Sequence, residues 1–276
     1  FNHKIKGINY PNSPVYCSVN SQQKVLVLAV TSKEFTDSMP SLSSQTQHYG
    51  FNSSVENGTS SLLFGLPELY HQALQNQAPI LLNLPKSMGL SVKLFSPIYV
   101  HAPSKGFNSD WHTFGNDIKS GLLNLGIGLV TAEQAKHLLT PEVLQQYKVL
   151  LTHIAPTESH KSTLLSNFTM QKSYSSIEDI APTVMNLLGC EADISSYSTG
   201  RNLLTDKGPT YLASTSGSKI ILLDGQYKTE IMNNGNVEIY DLRTNQEVFS
   251  PIDTSLLSQG IKHLSRFSAK RNYYPR

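Results

Sequence analysis

Apolar residues run unbroken through Val25-Leu-Val-Leu-Ala-Val30. A strand with one wet face alternates apolar and polar positions, so this run predicts a strand covered on both faces. Val149-Leu-Leu-Thr152 repeats the pattern. Other stretches change period. Leu62–Leu66 is followed by Pro67, a good first helical residue, and by an amphipathic stretch to about Gln77. Ile80–Leu84 and Val92–Phe95 read as short strand or helix segments around a turn at Gly89, while Met39–Asn57 and His101–Gly115 read as loops. Helical spacing returns at Asp117–Leu125, Thr131–His137 and Pro141–Gln146. Ser176–Gly189 opens with capping residues and closes on glycine, which predicts a well-bounded helix.

From Thr210 the segments shorten to Tyr211–Ser214, Lys219–Leu223, Lys228–Met232 and Val237–Tyr240. Asp224-Gly225 and Asn233-Asn234-Gly235 supply hairpin signals between them, and an amphipathic helix is expected over Thr254–Ala269. Buried strands alternating with helices, then a meander and a helix, predict an α/β fold: an α/β/α layer followed by a small antiparallel subdomain. The expected organisation is a linker at 1–22, an α/β/α core at 23–208 and a β-meander plus closing helix at 209–276.

Composition removes some function classes. The 276 residues are 39% hydrophobic and 15% charged, with a formal net charge of +2 and no dense basic block. Neither disorder nor nucleic-acid binding is expected. No apolar run reaches the roughly 18 to 20 residues that cross a bilayer. The chain opens on Phe1 rather than Met, so an upstream part is expected, either a signal peptide or membrane helices. Cys17 and Cys190 are too far apart for a zinc ribbon or a CxxC motif; a disulfide and two free thiols both stay open.

Several motifs fall in a recognisable order. Val25–Ser32, the Asp179-Ile-Ala-Pro-Thr183 helix and Ile239-Tyr240-Asp241-Leu242 resemble the strand, the D-I-x-P-T helix and the late Y-D-L of the sulfatase/alkaline-phosphatase superfamily. Within it the chain is most similar to the periplasmic domain of the YejM/PbgA inner-membrane family. His48-Tyr49 to Gly65-Leu66-Pro67 follows that family's H-Y-S-S-G-N-S-T-R…Y-G-L-P, Pro40 and Leu42 its M-P-N-L, and Tyr197–Leu203 its Y-S-x-G-x-D-L. Asn233-Asn234-Gly235 with Ile239–Arg243 follows its N-N-N-G…Y-N-L-R. The likeness runs from about Tyr10 to Phe267 and is poor between His101 and Gln171. It implies a three-layer sulfatase-like fold tethered by N-terminal membrane helices on the periplasmic side of the bacterial inner membrane. The implied partners are phospholipid, lipopolysaccharide or a membrane protein.

The same resemblance locates a degenerate catalytic centre. Hydrolysis in that superfamily needs a dication, held by carboxylates and imidazoles, and an activated hydroxyl. The first metal Asp falls on Thr31, the nucleophile on Val55 and its neighbouring Arg on Glu56. No Asp-His-Gly follows a buried strand; the nearest feature is His153. No cofactor or metal is expected, and conventional hydrolysis is disfavoured.

Other chemistry-bearing residues are weighed against plain structural roles. Asp110-Trp111-His112 would suit acid/base or metal work if Asp110 and His112 shared a strand face. Ser53 and Ser54 with His48 form a loose serine–histidine pairing, and His153 and His160 lie near a sheet edge where ligands bind. Lys4 and Lys6 would meet anionic headgroups, and Lys262, His263, Arg266, Lys270, Arg271 and Arg276 form a second basic zone. The leading reading is a non-catalytic domain that binds or senses lipid, lipopolysaccharide or a protein partner in the control of envelope lipids. The alternatives are a hydrolase or phosphoethanolamine-type transferase with ligands relocated to Asp110, His112 or His153, and a structural partner domain in a membrane complex.

Overall fold

A computed structural model describes residues 7–269 except 34, 36–38, 99–101, 172, 206 and 209–210. The expected basic residues Lys4, Lys6, Lys270, Arg271 and Arg276 lie outside the described residues.

Strand β1 (Val25–Val30) is fully buried, as its unbroken apolar run demands. It lies between β6 (Leu125–Val130) and β7 (Lys148–His153), parallel to both, with Val30 level with Val130 and His153. Strands β4 (Val92–Phe95) and β5 (Asn108–Ser109) extend the parallel set beyond β6. On the other side β8 (Leu164–Ser166) pairs antiparallel with β7, and β2 (Ser43–Ser44) with β8. The resulting order is β2-β8-β7-β1-β6-β4-β5.

Alternate residues of β1 feed two cores. Val25, Val27 and Ala29 join α1 (Val55–Phe64), α2 (Ile80–Ser87) and α6 (Ile180–Leu187) on one face. Leu26, Leu28 and Val30 join α3 (Trp111–Lys119), α4 (Ala132–Leu138) and α5 (Pro141–Gln146) on the other. Each fully buried Val or Leu contributes about 1.5–3 kcal/mol, so this strand anchors both layers. Strands β10 to β13 (Leu212–Ser216, Lys219–Leu223, Tyr227–Ile231, Val237–Asp241) form an antiparallel sheet, and α7 (Thr254–Leu264) packs on its first two strands. A short parallel pair, β3 (Gln47–Tyr49) with β9 (Tyr174–Ser176), stands apart from both sheets. The three layers, the C-terminal sheet and its closing helix match the expected fold class.

Local departures have physical causes. The first helix begins at Val55, inside the expected loop and well before Pro67, because Ser54 caps it by accepting from Asn57 N at 3.1 Å. Gly65 then ends it with φ 66°, and Pro67 precedes only a 3-10 turn at Glu68–Tyr70. Asp117–Leu125 is the tail of α3 followed by entry into β6. Gly126 and Gly128 had masked that strand, and they let α3 approach: a Cβ at Gly126 would sit 2.6 Å from Ile118 Cδ1. His101–Gly115 holds a 3-10 turn, β5 and the start of α3 rather than a loop.

The 7–22 segment, expected as a linker, runs along the core. Asn9 N donates to Phe267 O, the Tyr10 hydroxyl donates to Phe64 O at 2.8 Å, and Cys17 forms a disulfide with Cys190. Those cysteines are 173 residues apart, and cross-linking distant residues restricts the unfolded chain, for a stabilisation of about 2–5 kcal/mol. Reduction, or Cys17→Ser combined with Cys190→Ser, is expected to lower the unfolding free energy by that amount in a urea titration. An unchanged midpoint would contradict the closure.

Candidate functional site

The carboxyl ends of parallel strands leave backbone groups unpaired and gather loops, so the β1/β7 edge is where chemistry would sit. Three segments meet there. The Ile154 amide donates to Val30 O at 3.0 Å, joining the exits of β1 and β7. Asn52 Nδ2 then donates to both Ile154 O and Ser54 O at 2.9 Å, drawing the N-terminus of α1 to the same edge. Thr31, Val55, Glu56 and His153 therefore surround one locality.

Their side chains are spent on structure. The Thr31 amide donates to Val130 O at 3.0 Å, and its hydroxyl turns back toward the same carbonyl at 3.5 Å. Val55 packs against the apolar core as the first helical residue. Glu56 is exposed in the first turn, where a negative charge favours the helix and repels an incoming anion. His153 places Nε2 2.8 Å from Ser32 O; a carbonyl only accepts, so that nitrogen carries the proton. Its ring stacks on Phe35, with centroids 5.6 Å apart.

A helix N-terminus is a ready anion site, and here the chain sets its own carboxylate just before the cap. Glu68 accepts from Ser53 N at 2.9 Å, from the Ser53 hydroxyl at 2.6 Å and from Asn57 Nδ2 at 2.7 Å. The pairing spans 15 residues, so no local pattern announced it. Asn52 Oδ1 is buried beside the edge with no hydrogen-bond partner among the described residues. One neutral amide oxygen and one committed imidazole do not make a dication site, which wants several anionic oxygens or free imidazoles. Among the described residues no group of three or more His, Cys, Asp or Glu is arranged to hold a metal. Glu34 and Asp37, which follow Ser32 in sequence, lie outside the described residues.

The remaining candidates do not converge. Asp110 is the cap of α3, so Asp110 and His112 are not alternate residues on a strand face. Its carboxylate accepts from Thr113 N at 2.9 Å and the Thr113 hydroxyl at 2.7 Å, bonds that hold it below the usual carboxylate range. His112 is exposed beside Asn116, and Trp111 packs on Phe95. Strand β5, which leads to Asp110, is four strand positions from β7, roughly 19 Å at about 4.8 Å per strand. His160 is drawn to Glu230 at 3.5 Å. Hydrogen bonding from His160, then Lys219 and Lys228, outweighs burial and holds Glu230 far below the usual range.

His48 does not meet Ser53 or Ser54. It is buried with Nδ1 2.8 Å from Ser175 Oγ and Nε2 3.3 Å from Thr152 Oγ1, while Thr46 Oγ1 lies 2.7 Å from the same serine. Burial pushes the imidazole down to about 3, so it is neutral at physiological pH. The sequence reading had also passed over Glu178 and Asp179, which lie buried at the start of α6. Their acidic cap residues were visible, but not their depth.

No family model and no curated protein matches this sequence. Solved structures do. An alkaline phosphatase superfamily protein from Vibrio parahaemolyticus aligns with a TM-score of 0.64 over 93% of this chain and 92% of its own, at 10% identity. The phosphonate monoester hydrolase of Agrobacterium radiobacter aligns with a TM-score of 0.55 at 9% identity, covering 88% of this chain and 95% of its own. That of Silicibacter pomeroyi gives 0.53 at 11%, covering 89% and 94%. The chain thus has the alkaline phosphatase-like fold.

A histidine depressed from 6.5 to about 3 by folding takes up a proton on unfolding anywhere between those values, so its neutral burial stabilises fully above 6.5 and the benefit fades as pH falls. His48→Gln is expected to flatten the stability–pH slope by close to one proton in that window, read by urea unfolding. An unaltered slope would contradict the buried neutral assignment.

Proposed function

We propose that this chain is a non-catalytic domain on a hydrolase scaffold, carried on the periplasmic side of a bacterial inner membrane, that recognises anionic lipid, lipopolysaccharide included. The observation that carries the reading is the β1/β7 edge. The scaffold brings Thr31, Val55 and His153 together where ester chemistry would need carboxylates and a hydroxyl, and Glu68 holds the helix N-terminus where an anionic ester would bind. Relocated ligands receive no support, since Asp110 and His112 sit on a helix start far across the sheet.

Two further features support the compartment and the ligand class. A disulfide such as Cys17–Cys190 persists where the surroundings oxidise, as in the periplasm. Between α7 and the C-terminal sheet lies an apolar groove of about 370 Å³ lined by Leu69, Ile220, Ile231, Met232, Leu257 and Ile261. Ile261 is 47% exposed. The groove also touches Ser268, which bridges to Ile8. A lipid acyl chain would find apolar surface there. Among the described residues no helix is long and apolar enough to cross a membrane.

Two assays test the reading. Hydrolysis of p-nitrophenyl phosphate, sulfate and phenylphosphonate with zinc, magnesium, manganese or calcium is expected to stay at the buffer rate; saturable turnover lost on mutating the β1/β7 edge would overturn it. Vesicles containing phosphatidylglycerol or lipopolysaccharide are expected to sediment the domain, and Ile261→Asp to weaken that capture by about tenfold, one buried aliphatic side chain's worth. Equal sedimentation with neutral vesicles would contradict the lipid assignment.

A further inference from the structure

The cleft that the β1/β7 edge does not use lies where α6, the loop at 199–201, the start of β10 and α7 come together. A 3-10 turn at Ile177–Asp179 sets two carboxylates side by side beneath it. Asp179 is fully engaged: it accepts from Ser176 N at 2.8 Å and Arg201 N at 2.9 Å, with Arg201 Nε at 4.0 Å. Glu178 is not. One oxygen accepts from the Ser214 hydroxyl, while Oε2 is buried with no hydrogen-bond partner among the described residues, and the residue is 3% exposed. An orphaned buried acceptor costs stability, so its retention calls for a reason.

Above it opens a cavity of about 180 Å³ walled by Thr199, Gly200, Tyr211, Leu212, His263 and Arg266. Gly200 is obligatory there, because a Cβ would lie 2.1 Å from Glu178 O. Charge is graded from floor to mouth. Burial, against the Ser176 and Ser214 hydroxyls, raises Glu178 above the usual carboxylate range. Burial also lifts Asp179, to about 7, with the Arg201 guanidinium opposing. Burial, then the Arg266 charge, lowers His263 to about 4, so it is neutral near pH 7. Arg266 stands exposed at the mouth, with Nη1 3.3 Å from Ser198 O.

A bare cation would meet Arg266, and a bare anion would meet Glu178. We propose that this cleft binds a compact zwitterion, its primary ammonium donating to Glu178 Oε2 and its anionic group pairing with Arg266. The chemistry is that of an aminoalkyl phosphate, free or as a lipid headgroup. A quaternary ammonium has no N–H to offer and is discriminated against. The proposal rests on residues outside the β1/β7 edge and the apolar groove, so it stands or falls separately from the reading above.

Binding an ammonium against Glu178 favours the ionised carboxylate and expels a proton from a group whose affinity for protons burial had raised. Affinity should therefore rise with pH through the range in which Glu178 gives up its proton, above the usual carboxylate range, with a calorimetric heat that tracks the buffer's ionisation enthalpy. A merely structural carboxyl would give neither signal.

Isothermal titration of the whole domain with O-phosphoethanolamine is expected to saturate, and Glu178→Gln and Arg266→Ala each to weaken it by about tenfold or more, the worth of one charged hydrogen bond. O-phosphocholine, ethylamine and inorganic phosphate should each bind more weakly. Capture by phosphatidylethanolamine vesicles but not phosphatidylcholine vesicles, lost in Arg266→Ala, would assign a lipid headgroup; binding confined to the soluble probe would assign the free compound. Arg266 is exposed, so its variant keeps the test open if Glu178→Gln fails to fold. No saturable binding by the folded domain, wild-type affinity in both variants, or phosphocholine matching phosphoethanolamine would overturn the proposal.

Discussion

The structure depends on β1 being dry on both faces. Its side chains leave water in two directions at once, and its backbone groups are paired on both sides by β6 and β7. That requirement fixes helices above and below the sheet, and it aligns the ends of three parallel strands at one edge. Whatever chemistry the scaffold holds must be read at that edge. The residues found there are the neutral Thr31, the aliphatic Val55 and a His153 already bonded to Ser32 O.

The edge is well built, which separates altered use from a loose or damaged site. Asn52 still ties α1 to β7, and Ser54 still caps the helix. Glu68 takes up the Ser53 amide and hydroxyl, which places a carboxylate of the chain beside the start of α1. A protein anion in that position competes with any incoming ester at no entropic cost of binding. Val55 joins the core beneath it. By contrast, Glu178 Oε2 has no hydrogen-bond partner among the described residues at the floor of a cleft.

How much was legible in the sequence follows from how local each cause is. Strands β1 and β7 showed themselves because continuous apolar runs have few alternatives, and the hairpins of the C-terminal sheet because Asp-Gly and Asn-Gly mark turns directly. Strand β6 stayed hidden: Gly126 and Gly128 broke its pattern for the sake of Ile118 and Phe114 on a different element. The start of α1 looked like loop because Ser, Asn, Gly and Thr have weak helix propensity, and tertiary packing overrode it. The correspondence of Thr31, Val55 and Glu56 to catalytic positions rests on resemblance alone, since nothing in their spacing marks them. Glu68 at the helix start, His160 on Glu230 and the depth of Glu178 all depend on contacts between distant segments, which spacing along the chain does not encode.

The central claim is that the described residues of the β1/β7 edge offer no seat for a dication. Crystals soaked in manganese and zinc, with anomalous difference maps collected at each metal's absorption edge, address it most directly, and they include Glu34 and Asp37 in the question. The account predicts no anomalous peak within bonding distance of Thr31, Asn52 or His153. A well-occupied ion there, coordinated by two or more protein side chains, would contradict it.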